Sequence, residues 1–330
     1  MARYPILLLT VTTLSACSPY VYDQEITGFS TGVTAVAASY RSGQQAIDAI
    51  LAQQRQAAEA TARTRLLLLP GCDQSEPSGN PPKLPDCAAV PFGAQAAPAP
   101  AAVQQHLANA APAFDALKEY AAALTAVTAS ADETTLNKAT QSLTAAAGSV
   151  ALELAKRHPP AARDAPLLAP VGGMLGQGIA IWLDQRRLAA LRNTVAAVDP
   201  EVQALGQTLQ AALADIRAQQ LLQLGRNLRR DAEPFETASV GLLSVTGYRS
   251  NRAALEVDIA AFNQARAADP AATVGAMVTA HHQLALALQS NTGQAMAVAT
   301  GVQTFIASAE KLKDAIGAPA AAKVPVVATQ

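Results

Sequence analysis

The side chains with the greatest chemical potential in this sequence are two adjacent histidines, His281 and His282, a Ser-x-x-Lys match at Ser308-Ala309-Glu310-Lys311, and three cysteines. Neighbouring helical positions point about 100° apart, so the two imidazoles cannot chelate one metal together. No His or acidic residue stands four places from either, and both read as surface or packing residues. The Ser-x-x-Lys match lacks the Ser-Asp-Asn and Lys-Thr-Gly companions that acylating enzymes place with it, and reads as an exposed helix face. There is no HExxH, no GxSxG and no Walker loop. Gly176-Gln177-Gly178 is not a dinucleotide loop, because no strand precedes it and position 181 is Ile181. The expectation is a chain that is not an enzyme and binds neither cofactor nor metal.

The strongest signal lies at the N-terminus. Arg3, the apolar run Ile6-Leu7-Leu8-Leu9-Thr10-Val11 and small residues before a cysteine follow the plan of a secretory signal peptide, and the run is too short to span a bilayer. Leu14-Ser15-Ala16-Cys17 resembles the lipobox of bacterial lipoproteins. That resemblance implies cleavage before Cys17, a diacylglycerol on its thiol, an acylated amine and, with Ser18 following, sorting to the outer membrane. Several acyl chains, at roughly 0.8 kcal/mol per buried CH₂, anchor stably where one would not. The competing reading is an ordinary secretory signal in which Cys17 is accidental. In an exported chain the even remainder, Cys72 and Cys87, suggests a disulfide across an interval rich in Pro and turn formers. Closing that loop would stabilise by about 3 kcal/mol in the chain-entropy model.

The elements that must carry these residues are helical. Half of the residues are apolar but only 4% are aromatic. Alanine dominates that apolar set; it has the best helix propensity and keeps helix axes close, and strands are not expected. Formal charge is −1, and the densest basic cluster, Arg226, Arg229 and Arg230, is followed at once by Asp231 and Glu233. A solvated helix end explains it, and no nucleic-acid partner is expected. We read 1–16 as signal peptide, 17–28 as tether, and 29–157 as a first helical part containing the disulfide loop 70–100. A Pro-containing linker over 158–170, a second helical part over 171–317 packed with the first as one domain, and a loose tail over 318–330 complete the chain. The fold expected is an elongated antiparallel bundle of about seven helices.

Within it, Pro70-Gly71 is expected to end the first helix, Ser130-Ala131-Asp132-Glu133 reads as a capping box, and Asp199-Pro200-Glu201 reads as a helix start. Glu233-Pro234 starts or kinks another helix, with Leu255, Ile259 and Phe262 as its stripe, and Asp269-Pro270 opens a last long one. Tyr40-Arg41-Ser42 and Tyr248-Arg249-Ser250 echo each other, with Phe29 and Phe235 upstream, by duplication or by coincidence in an Ala-rich chain. A duplication would set the two tyrosines at equivalent depth. Ala165–Leu183 has no charged residue and includes Trp182 and a Gly172-Gly176 pair. It is either a central buried helix or a segment that inserts into membrane. The function expected is a structural or interaction role on a periplasm-facing outer-membrane lipoprotein, with an envelope protein or peptidoglycan as partner. A membrane-active protein and a small-ligand carrier are the alternatives.

Overall fold

A computed structural model of the chain describes residues 22–63, 65–68, 89–91, 101–157, 179–236, 244–290 and 294–317. Among these stand seven helices: α1 (Asp23–Ala62), α2 (Ala102–Thr128), α3 (Glu133–Arg157), α4 (Ile179–Glu236), α5 (Val245–Ala267), α6 (Pro270–Gln289) and α7 (Ala295–Gly317). The chain is an all-α bundle, as its composition requires. Against the expectation of no strands, β1 (Leu66–Leu68) pairs antiparallel with β2 (Ala89–Pro91), Leu68 facing Ala89. The run Leu66-Leu67-Leu68-Leu69 has no three-four period to keep it helical. Accordingly α1 ends before Pro70, where Arg63 turns left-handed at φ 49° and its N–H bonds back to the Ala60 carbonyl.

Several boundaries differ from those read in the sequence. Residues 23–28, assigned to the tether, open α1, because Ile26 is fully buried and extends the stripe of Phe29, Val33 and Val36. Asp132, rather than Ser130, caps α3: its carboxylate accepts the Thr135 N–H at 2.8 Å while Ser130 donates to the Ala126 carbonyl. The largest correction is α4, whose 58 residues, about 87 Å, run unbroken through Asp199-Pro200 and Pro234. Pro200 cannot donate to the Ala196 carbonyl, a local loss. Val195, Val198, Val202 and Leu205 nevertheless continue one buried stripe across it, and that packing outweighs the broken bond. Asp269 does cap α6, accepting the Ala272 N–H at 3.0 Å with Pro270 in the first turn, but the expected long helix breaks at Ser290 into α6 and α7. On α5, Ile259 is 40% exposed and Asp258 takes the buried position instead.

Contacts fix the helix directions. Asp48 meets Gln104, and Tyr40 and Arg41 meet Leu107 and Asp115, so α1 and α2 are antiparallel. Gln283 lies by Gly301 and Thr273 by Ser308, so α6 and α7 form an antiparallel hairpin. By contrast Gly28 lies by Val302 and Gly43 by Ile316, which makes α1 and α7 parallel neighbours. Glu133 at the start of α3 pairs with Arg186 near the start of α4 at 3.3 Å, so these too run the same way. Arg157, at the far end of α3, reaches the Asn109 carbonyl of α2, close to where His106 meets Asp215 of α4 at 2.6 Å. The ends joined by residues 158–178 therefore lie about 50 Å apart along α4, a distance within the roughly 70 Å reach of a chain that long.

One core serves both parts of the chain: Tyr40, Leu117 and Leu143 belong to the same buried cluster as Leu191, Leu209, Leu284 and Phe305. Rows of unexposed alanines, among them Ala113, Ala121, Ala212, Ala280 and Ala309, let the axes approach. The echo of Tyr40 and Tyr248 does not survive: Tyr40 is fully buried and stacked on Phe114 at 4.1 Å, whereas Tyr248 is 45% exposed and meets Phe235 edge-on. At the closest approach, a Cβ on Gly32 would stand 2.5 Å from the Phe305 ring, while one on Gly148 would meet nothing within 4 Å. Gly32→Ala is therefore expected to lose about 1–3 kcal/mol, and Gly148→Ala on exposed α3 to gain about 0.5–1 kcal/mol. Urea unfolding followed by circular dichroism would give these opposite signs; equal effects would contradict the packing.

Candidate functional site

The polar centre of the bundle is built on Asp199, a residue that sequence reasoning treats as a helix cap. Held mid-helix on α4, its carboxylate faces α6, where the adjacent histidines grip both oxygens. His281 Nδ1 lies 2.9 Å from Oδ1 and His282 Nδ1 2.7 Å from Oδ2. Gln203, one turn along α4, donates to Oδ2 at 2.8 Å. On its other side His281 Nε2 stands 3.0 Å from the Tyr120 hydroxyl of α2, and its ring packs against Phe29 of α1, 5.6 Å between centroids. Two imidazoles 100° apart cannot share a small ion, but they can bracket a carboxylate, whose two oxygens face outward in different directions.

The protons follow from the partners. An ionised carboxylate only accepts, so both imidazoles donate from Nδ1. On the far side of the ring a single hydrogen bond joins His281 Nε2 to the Tyr120 hydroxyl. Burial pushes the Asp199 carboxyl up, but the hydrogen bonds and charges of His281 and His282 outweigh it and hold the group below its ordinary value. Burial drives Tyr120 well above the usual tyrosine range, with the negative Asp199 and Glu201 adding to the effect. Carboxylate, imidazole and hydroxyl in series resemble a general-base relay, but His281 and Tyr120 have no solvent exposure, so a substrate atom cannot reach them. The arrangement is a clasp joining α2, α4 and α6. Among the described residues no group of three or more His, Cys, Asp or Glu could hold a metal ion.

A second feature faces water. From Pro270 to Ala309 the chain has no Asp, Glu, Lys or Arg, so α6 is the one described helix without these residues, and its two titratable groups, His281 and His282, are turned to Asp199. Between α6 and α7 lies an open groove of about 720 Å³, floored by Ala276, Ala297 and Gly301 and edged by Thr279, Gln283, Thr300, Thr304 and Met296. Met296 is 81% exposed and Leu286, near the same turn, 43%. A Cβ on Gly301 would stand 2.0 Å from Gln283 Oε1 and would displace the end of that side chain. That oxygen is buried with no hydrogen-bond partner, an unmet acceptor in the groove wall.

Cys17, Cys72 and Cys87 lie outside the described residues, as do 165–178 of the uncharged segment. What is described of that segment opens α4, with Leu183 buried and Trp182 packed against the core beneath the Arg186 guanidinium, 4.8 Å from its ring. Among the described residues no helix is long and apolar enough to cross a membrane. Ser308 and Lys311 lie on the flank of α7, and the Ser308 carbonyl accepts from Thr273. Sequence reasoning missed the roles of Asp199 and Tyr120. Their partners stand 82 and 161 positions away, and no local pattern marks either.

The clasp sets a pH dependence. Because Asp199 has a lowered folded pKa, its stabilisation is complete above the unfolded value of about 3.9 and is lost as pH falls through the lower folded value. Tyr120, raised by burial, contributes fully below about pH 10 and loses its contribution as pH rises beyond that. Asp199→Asn turns an amide N–H toward one imidazole N–H and is expected to destabilise by about 1–3 kcal/mol at pH 7. Urea midpoints measured across pH should show that difference shrinking below about pH 4; a constant difference would contradict the clasp. Compared with known proteins, the chain matches no family model, no curated protein and no solved structure.

Proposed function

We propose that the chain is a lipid-anchored envelope lipoprotein, held by acyl chains on Cys17 at the periplasmic face of the outer membrane, whose helix bundle acts by binding rather than catalysis. The observation that carries this reading is Leu14-Ser15-Ala16-Cys17, followed after five residues by the start of α1 at Asp23. Five residues reach at most about 18 Å, so the anchor would hold that end of the bundle close to the bilayer. The α6–α7 turn and the α2–α3 turn belong to the same end, because α7 runs parallel to α1 and both α2 and α6 run against it. Elsewhere the surface is charged, with ion pairs such as Arg41–Asp115 and Arg252–Glu256. The uncharged α6–α7 face is the surface suited to a partner, an envelope protein or peptidoglycan.

The same reading takes Cys72 and Cys87 as a disulfide in the oxidising envelope. The β1–β2 ladder supports this by holding Leu68 against Ala89, so the two stems leading to the cysteines enter side by side. Intact-mass analysis of natively expressed protein tests both points. The expected product starts at Cys17, carries a diacylglycerol thioether and an acylated amine, and shifts by two hydrogens on reduction of the Cys72–Cys87 bridge. Retention of residues 1–16, or an unmodified Cys17, would overturn the anchor. In cell fractions, Cys17→Ser should move the protein from the membrane to the soluble pool.

A further inference from the structure

We infer that the α6–α7 face is a homotypic interface, so that the partner of this surface is a second copy of the same chain. This deepens the binding role proposed above and rests on it. Three observations lead there. First, a surface without charge meets at no electrostatic cost only another surface without charge, since burying an unpaired charge is expensive. Every other described helix carries Asp, Glu, Lys or Arg, whereas α6 and the first turns of α7 carry none and the half-exposed His282 is taken up by Asp199, so among the described residues the matching surface is the face itself.

Second, the face holds both a hole and a knob: small residues line the groove, and Met296 projects beside it, 81% exposed. A patch that contains its own complement suits an isologous two-fold contact. Third, α6 and α7 are antiparallel. A dyad parallel to the bundle axis sets α6 of one copy beside α7 of the other, again antiparallel, and two hairpins close into a four-helix bundle. The same dyad keeps both α1 N-termini at one end, as two anchors in one membrane require. Along the face α6 is about 30 Å long and the uncharged part of α7, up to Ala309, about 22 Å, and two helices side by side are about 20 Å wide. The flat projection, roughly 500 Å², is about two thirds of the roughly 800 Å² per partner of a standard interface before side-chain relief is added. Confinement of both copies to one membrane raises their effective concentration further.

The test uses the full chain in native membranes. Thr279 and Thr304 lie at one level across the groove, so a copy with Thr279→Cys and a differently tagged copy with Thr304→Cys should oxidise to a covalent dimer carrying both tags. Gln56→Cys pairs, on the exposed end of α1, should not. Thr300→Glu in both copies should lower the crosslinked fraction at least tenfold while circular dichroism stays unchanged, and pairing Thr300→Glu with Thr300→Lys should restore it. If Thr300→Glu unfolds the bundle, Ala297→Lys provides the same comparison. Absence of the doubly tagged product from folded protein, or capture of lipid or of another protein at these cysteines instead, would overturn the interface. Intact mass of the same samples reads Cys17 separately: a dimer without acyl chains would retire the anchor alone, and a lipidated monomer would retire the interface alone.

Discussion

A helix that ends inside a protein leaves its last carbonyls without partners, and a bundle made of seven helices must answer that demand many times. Here α4 answers it for three neighbours. Arg192 donates to the Leu288 carbonyl at the end of α6, Arg217 to the Ala265 and Arg266 carbonyls at the end of α5, and Gln220, itself 1% exposed, to the Ile316 carbonyl near the end of α7. Two of the donors are cations set at the negative ends of helix dipoles, where the charge is favourable as well as the hydrogen bond. The length of α4 is thus more than a packing outcome. A helix broken at Pro200 would separate Arg192 from Arg217 and Gln220, and the three ends would lose their common support.

Polar side chains also gather at Pro112. Proline inside α2 cannot donate to the Ala108 carbonyl, and on either side of that position the Leu107 carbonyl accepts from Tyr40 and the Asn109 carbonyl from Arg157. Tyr40 is consequently fixed by a bond at its tip and by the stacked Phe114 on its face, and burial with the nearby Asp115 raises its hydroxyl to about 12. Tyr120 is tied down in a parallel way by His281. In an alanine-rich core both buried tyrosines have a specific polar anchor, and these anchors favour one register among similar helices.

The distribution of charge divides the molecule into a stabilising interior and an unused exterior. The clasp around Asp199 looks like catalytic chemistry when its atoms are read alone, yet His281 and Tyr120 are sealed from solvent and join three helices. The α6–α7 surface carries no Asp, Glu, Lys or Arg as far as Ala309, and there the bundle departs from an ordinary charged exterior.

The order of residues determined the helical class by itself, because alanine content and three-four spacing act within a few turns, and so do the Asp269-Pro270 cap and the close of α3 at Arg157 before His158-Pro159. It also set the lipobox resemblance, a local pattern that owes nothing to the fold. Only the tertiary structure decided that Asp199-Pro200 would pass through a helix rather than start one, since the buried stripe on both sides of it is worth more than one hydrogen bond. The bracketing of Asp199 by His281 and His282, the sealing of Tyr120, the parallel pairing of α1 with α7 and the hairpin face of α6 and α7 were decided there as well. Each depends on residues far apart in the chain meeting at one depth, and that meeting is set by how helices fill shared space, which no local spacing encodes.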